Sequence, residues 1–217
     1  MAGTKAFLAV LDTGVVEVDI ADPSLPQIGR WLKRKPFSPT AGITNISGVG
    51  LAAASTSLFV ACYTGLIGVD TSQPDSLREV SFTPSGGDAM DVVVKDSLVY
   101  AACDLSGLWV IDVSNPSHPH ALSNIQNGGI ASRVIAGDSV AFVLNYPGGT
   151  NDTTQGLWVV DVSNTTAPRF LSHYPGIVRY TPAVAPNAIA RAGNLLFVSQ
   201  SYRPSNDSSH KTSESRR

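Results

Sequence analysis

A thirteen-residue segment that recurs four times constrains this chain more than any other feature. Each copy begins with a glycine, reaches an aspartate five residues later and then runs into a short turn. The copies are GVVEVDIADPSLP from Gly14, GLIGVDTSQPDSL from Gly65, GLWVIDVSNPSHP from Gly107 and GLWVVDVSNTTAP from Gly156. The aspartates are Asp19, Asp70, Asp112 and Asp161. Units of about 41 to 55 residues that carry such marks are typical of repeat architectures.

A second element precedes each glycine and completes the unit. It is a short apolar strand, a tight turn of Gly, Asp, Ser or Asn, and a second strand that carries an aromatic residue. The aromatic residues are Phe7, Phe59, Tyr100, Phe142 and Phe197. With the glycine-led segment and the strand that follows its turn, each unit has four strands, which we name A to D in chain order.

The strands of these units are apolar on both faces, as in SLFVAC and LWVIDV. Each sheet must therefore be covered on both sides, which neighbouring sheets stacked around an axis provide. A β-sandwich is the alternative, but it buries one face per sheet and predicts a cleaner alternation. With 19 Gly, 14 Pro and only 15% charged residues, the sequence predicts an all-β fold, a β-propeller of four-stranded antiparallel blades.

The units predict a repeat array over residues 1–202, followed by a disordered, Ser-rich tail at 203–217. The strand units lie at about 3–31, 48–84, 87–125, 130–173 and 184–202. The array opens with strands B to D, continues through three complete units and finishes with strands A and B. Two explanations are open. The last strand A could close a small ring against the first unit, or the chain is a fragment of a longer propeller, which the surplus strand B favours.

The pattern G-L-x-V-x-D-V-S-x-P resembles the LVIVD-repeat family of bacterial and archaeal β-propellers. The best matches start at Gly107 and Gly156, and the second has Thr165 where the pattern has proline. The resemblance implies a propeller and supplies no catalytic residues. It also implies an exported or surface parent protein, although the N-terminus shows no signal-peptide pattern, so the compartment stays open.

The longest connections all fall on one rim of the expected propeller. They lie at 32–47, 145–155, 172–186 and from 202 onwards, and are B–C or D–A connections, which share one end of an up-and-down sheet. Elaborated loops on a regular scaffold are where binding usually resides, so this rim is the candidate functional face. Drift in loop length where packing permits is the alternative.

Six residues are candidates for binding on this rim. Asp91 and Arg133 stand at equivalent places in strand A near the expected axis, where they could contact a ligand or form a solvated ion pair between blades. The loops contribute Arg34, Tyr146, Arg179 and Tyr180, of types that favour protein interfaces.

Little else in the sequence points to chemistry. The repeated aspartates suit turns whose backbone amides they accept, rather than a metal site. There is no G-x-S-x-G, H-E-x-x-H or phosphate-binding glycine loop, and we expect no metal, no cofactor and no catalytic residues. Cys62 and Cys103 are expected to be free and buried. A net charge of −2 gives no reason to expect nucleic acid or a membrane as partner.

The function that the sequence favours is that of a non-enzymatic repeat protein whose loop-rich rim binds a protein or a small ligand. The alternatives are a propeller enzyme of hydrolase or lyase type with its site at the channel mouth, or a fragment without independent function. A convergent set of His, Asp, Glu or Arg around the axis would distinguish the enzyme.

Overall fold

The computed structural model describes residues 4–10, 14–33, 50–126, 128–146, 155–175 and 184–202. The strands in these ranges are β1 (Lys5–Val10), β2 (Gly14–Asp19), β3 (Gln27–Lys33), β4 (Leu51–Ala54), β5 (Ser57–Cys62), β6 (Gly65–Asp70), β7 (Arg78–Pro84), β8 (Asp91–Lys95), β9 (Leu98–Ala102), β10 (Leu108–Asp112), β11 (His120–Ile125), β12 (Ile130–Ala136), β13 (Val140–Tyr146), β14 (Gly156–Asp161), β15 (Arg169–Tyr174), β16 (Val184–Ala192) and β17 (Leu195–Tyr202).

The strands form five antiparallel sheets in which chain neighbours pair in order. Blade 1 is β1 to β3, blade 2 is β4 to β7, blade 3 is β8 to β11, blade 4 is β12 to β15, and blade 5 is β16 and β17. The predicted fold class is confirmed, with three complete four-stranded blades and partial blades at both ends. Strands β4, β8, β12 and β16, which are strand A of successive blades, contact one another in that order, so they are the innermost strands.

The repeated glycine is required by a close approach between strands C and D. Gly107 has a φ of 79°, and a Cβ built there would lie 2.1 Å from the carbonyl oxygen of Ile125. The equivalent contact at Gly65 is also 2.1 Å, to the carbonyl oxygen of Thr83, and Gly156 meets Tyr174 in the same way. Strand C therefore starts where only glycine fits.

The repeated aspartate fixes the turn that ends strand C. In each copy one carboxylate oxygen accepts the backbone N–H two residues further on, as Asp112 does from Ser114 at 2.8 Å and Asp161 from Ser163 at 2.9 Å. In blades 3 and 4 an asparagine three residues later repeats the arrangement. The carboxylates thus serve the local backbone, as the turn interpretation of the sequence requires.

The hydrophobic core is divided into layers between the blades. Along strand β9, Val99 and Ala101 pack against blade 2, whereas Tyr100 and Ala102 pack against blade 4. A third layer, which includes Val15 and Leu58, joins blades 1 and 2. Because successive side chains of a strand point to opposite faces, apolar residues at every position bury both faces of the blade.

A polar contact between blades recurs on the outer strand D. Ser81 donates its hydroxyl to the carbonyl of Pro116 at 2.7 Å, and Ser123 donates to the carbonyl of Thr165 at 2.6 Å. In each case the acceptor is the fourth residue after the repeated aspartate of the next blade. At these two interfaces a serine hydroxyl therefore ties strand D to the neighbouring C–D turn.

In blade 1 an arginine replaces this serine. The Arg30 guanidinium donates to the carbonyls of Thr71 at 3.0 Å and Ser76 at 3.2 Å, and also to that of Gln73. Its other nitrogens pair with the carboxylate of Glu17, whose side chain is buried. The extra charge at this interface is thus neutralised within blade 1.

The strands extend one to three residues into the segments that were predicted as long loops. Strand β3 reaches Lys33, β13 reaches Tyr146, β15 reaches Tyr174, β16 begins at Val184 and β17 reaches Tyr202. Apart from Gln155 and Pro175, the rest of those segments and the predicted tail at 203–217 lie outside the described residues, where the predictions stay predictions.

Candidate functional site

The candidate rim is the end of each blade that carries the B–C turns and the D–A connections. Asp91, the first residue of β8, lies on the innermost strand here and is partly buried. One carboxylate oxygen accepts the N–H of Val134 in blade 4 at 3.0 Å, and the other accepts the N–H of Val92 at 3.0 Å. The carboxylate therefore links the inner strands of blades 3 and 4.

A close approach between the inner strands of blades 2 and 3 explains why the equivalent residue in blade 2, Gly50, has no side chain. A Cβ on Gly50 would lie 2.7 Å from the Cα of Asp91 and 2.9 Å from the N of Val92. The inner strands of blades 2 and 3 approach so closely here that a side chain at Gly50 would collide with the backbone of Asp91 and Val92. This position of strand A, which is Gly50 in blade 2 and Asp91 in blade 3, therefore serves the packing of neighbouring blades.

Burial raises the pKa of Asp91 above its ordinary value, since it disfavours the charged form. The hydrogen bond from Val134, the positive charge of Arg133 and the hydrogen bond from Val92 act in the opposite direction. An aspartate whose pKa is raised near a channel mouth has one property of a general acid. Its two oxygens, however, already accept backbone N–H groups.

Of the other predicted binding residues, the structure places two. Arg133 lies on β12 rather than at its start, is partly buried, and donates to the carbonyl of Ser132 at 2.7 Å. Tyr146 is the last residue of β13, opposite Ile130 at the entrance to strand A, and is half-buried. Arg34, Arg179 and Tyr180 lie outside the described residues, so their grouping with Asp91 stays a prediction.

Sequence reasoning missed two exposed apolar residues on this rim. Tyr63 follows β5 and Leu105 follows β9, so both stand in B–C turns of neighbouring blades. Their exposed fractions are 48% and 57%. A large apolar side chain in a turn of two to five residues is the signal that could have identified them, because turns favour small and polar residues.

On the opposite rim the repeated polar side chains are occupied by the turns themselves. Hydrogen bonds from Ser163 and from Arg169 lower the pKa of Asp161 to about 2. In the same way, hydrogen bonds from Ser72 and Ser114 lower the pKa values of Asp70 and Asp112. Carboxylates held in this way keep their charge and their partners. We therefore keep the B–C and D–A rim as the candidate site.

The cysteines carry no nucleophilic chemistry. Both are free and buried, as expected from the sequence. Burial raises the pKa of the Cys62 thiol to about 11 and that of Cys103 to about 12, so neither is a thiolate at neutral pH.

Within the described ranges, no three His, Cys, Asp or Glu side chains converge so as to hold a metal ion. In the same ranges, no helix is long and apolar enough to cross a bilayer.

The comparisons with known proteins support the fold and leave the activity open. The sequence model of the LVIVD repeat matches residues 86–126 and 151–175, which confirms the resemblance for those two segments. No curated protein matches the chain.

Among solved structures, the chain is similar to the crystal structure of the computationally designed Ika8 protein, with a TM-score of 0.61 at 10% identity. The match covers 93% of this chain and 56% of the designed chain, so this chain spans little more than half of that protein's length. At this identity the likeness concerns the fold alone.

Proposed function

We propose that this chain is a non-enzymatic propeller scaffold that binds a protein partner through its B–C and D–A rim. The observation that carries the proposal is the pair of exposed apolar side chains, Tyr63 and Leu105, in adjacent B–C turns. Exposed aromatic and aliphatic residues grouped on one face favour a protein interface. Arg34, Tyr146, Arg179 and Tyr180 belong to the same proposed surface.

The proposal is tested with a library of peptides displayed on phage and selected against the full chain. We expect selected peptides to lose at least about tenfold in affinity on the double variant Tyr63→Ser, Leu105→Ser, because interface anchors contribute more than about 1 kcal/mol each. The matched control is Leu25→Ser, since Leu25 is an exposed leucine in the C–D turn of the opposite rim. Peptides that bind the rim variant as well as the unchanged chain would contradict the proposal.

A propeller enzyme of hydrolase or lyase type is the second candidate, and the raised pKa of Asp91 beside Arg133 favours it. Its test is turnover of p-nitrophenyl esters, phosphates and glycosides by the unchanged chain and by Asp91→Asn. Under the scaffold proposal, no turnover depends on Asp91. A turnover that Asp91→Asn abolishes while the fold is retained would establish the enzyme instead.

A further inference from the structure

Blades 1 and 4 each carry exposed apolar side chains on a face that no blade covers completely among the described residues. In blade 1, Phe7 and Val15 pack against blade 2. Leu8, Ile28 and Trp31 lie on the other face, because side chains alternate along a strand and cross-strand partners share a face. All three are exposed, and the exposed fraction of Ile28 is 70%. We call these three residues the leading face.

The trailing face is the side of blade 4 that points away from blade 3. Its outer strand β15 exposes Leu171, with an exposed fraction of 53%, together with Tyr174. At the equivalent positions of blade 3, Leu122 and Ile125 are partly buried against blade 4. Blade 5 covers only the inner part of blade 4, since β16 and β17 are its two described strands.

The two faces also carry the two halves of the hydrogen bond that recurs between blades. Ser172 is the equivalent of Ser81 and Ser123, and its side chain is exposed, without a C–D turn from the next blade among the described residues. The matching acceptor would be the carbonyl of Pro23, the fourth residue after Asp19, just as Pro116 follows Asp112. A blade of the blade 1 type is thus the complement of the trailing face.

The inner strands complement each other in the same way. Strand β16 is a strand A that contacts β12 of blade 4. Blade 1 consists of strands B, C and D, and the described residues pair no strand with the outer edge of β1. In this structure β16 pairs with β17 of its own chain. A second copy offers its β1 to the same edge of β16, in competition with β17.

We propose that two copies of this chain associate head to tail, the blade 1 of each copy completing a blade with β16 of the other. The leading face of one copy then covers the trailing face of its partner, and Ser172 donates to the carbonyl of Pro23. Counted from the described strands, three complete blades from each copy and two composite blades make a ring of eight. Eight is within the range that propellers adopt.

The test is sedimentation velocity of the full chain over a series of concentrations, with variants in each face. The unchanged chain of 22.7 kDa is expected to form a species of twice that mass. Ile28→Lys and Leu171→Lys should each weaken association at least tenfold, because a charge is placed in an apolar contact. Ser172→Ala should weaken it about thirtyfold, because the ring contains this hydrogen bond twice and each bond contributes about 1 kcal/mol. Ser117→Lys, which adds the same charge to the exposed C–D turn of blade 3, is the control and should leave association unchanged.

Mixing the two face variants distinguishes head-to-tail from symmetric pairing of like faces. Each variant keeps one intact face, so an equimolar mixture should form one head-to-tail contact that neither variant forms alone. Phe197→Lys tests the position of the second copy. Phe197 lies on β17, which the partner displaces, so this variant should associate at least as well as the unchanged chain.

A chain that stays monomeric at every concentration would overturn the proposal, whether its ring is open or closed on itself. Loss of association in Phe197→Lys without loss in Leu171→Lys would also overturn it, since the partner would then stack on β17. All five substituted side chains are exposed in the single chain, so circular dichroism should show an unchanged fold.

Discussion

Gly107 shows how one backbone contact sets the repeated sequence mark. Its φ of 79° is one that side chains rarely adopt, and the carbonyl of Ile125 occupies the place of a Cβ. A side chain at Gly107 is therefore disfavoured twice, by the left-handed backbone conformation and by the clash with the Ile125 carbonyl. The glycine at the start of each strand C therefore follows from the geometry of strands C and D rather than from binding.

Gly107→Ala should lower the free energy of unfolding by about 2–3 kcal/mol, because it combines left-handed backbone strain with a clash against a carbonyl. Gly193→Ala separates the two effects. Gly193 has a φ of 57°, but nothing lies within 4 Å of a Cβ built there, so only about 1 kcal/mol of strain is expected. Urea denaturation measures both, and equal losses would show that the contact with Ile125 contributes nothing.

Glu17 and Arg30 make stability depend on pH. The hydrogen bond from Arg30 holds the pKa of Glu17 below the ordinary value of 4.5, and burial acts against it. A carboxylate whose pKa is lowered by folding stabilises the folded state above its unfolded pKa, and this contribution is lost as the pH falls through the folded pKa.

Glu17→Gln should therefore be less stable than the unchanged chain by about 1–3 kcal/mol at neutral pH. The difference should shrink as the pH falls from about 4.5 through the lower pKa of Glu17 in the folded chain, because the protonated glutamate is then neutral, as glutamine is at every pH. Thermal melts across this range measure it, and Asp138→Asn, which alters an exposed carboxylate, is the control. A difference that stays constant with pH would contradict the role of the ion pair.

At the scale of the strands, much of the fold could be predicted because the repeated marks are local. Glycine, aspartate and the aromatic residue each act within one blade, so their spacing places the strands directly. The contact between blades could not be predicted in this way. Ser81 and Ser123 recur, but each lies beside a bulge in strand D, and the bulge decides which side chain faces the next turn.

Ser81→Ala and Ser123→Ala should each cost about 1 kcal/mol, the usual net value of a hydrogen bond. Together they should cost about 2 kcal/mol, because they act at different interfaces and independent sites add. Ser172→Ala should leave the stability of the single chain unchanged, because its hydroxyl is exposed. Urea denaturation at low protein concentration measures all four variants. A loss in Ser172→Ala equal to that of the other two would mean that the serines act within their own blades.

The candidate site was less predictable than the strands. Asp91 was identified because it breaks the apolar pattern of strand A, and the sequence left open whether it binds a ligand or links blades. Its partners, the N–H groups of Val92 and Val134, are backbone groups that leave no mark in the sequence. Tyr63 and Leu105 were missed because the sequence analysis selected loop residues from the longest connections, and these two residues lie in short turns.

At the scale of the whole molecule, stability should be graded along the array. In a stack of repeats each blade contacts only its neighbours, so a blade covered on both faces is held more firmly than one covered on a single face. Blade 3 has core layers on both sides, with Tyr100 and Ile111 fully buried. In blade 5, Phe197 is 54% exposed, although its equivalent in blade 2, Phe59, is 1% exposed.

Backbone amides of β9 and β10 should therefore exchange with deuterium at least about tenfold more slowly than those of β16 and β17, a difference of about 1.4 kcal/mol in local opening. At low protein concentration, uniform exchange across the blades would contradict this graded stability. At high concentration, pairing between copies should slow exchange in β1, which gains a strand partner, and in β16, which exchanges β17 for the three-stranded sheet of the other copy's blade 1. Strand β17 loses its partner and should exchange faster. This opposite response of β16 and β17 separates an exchanged strand from simple stacking of ends, which would protect both strands together.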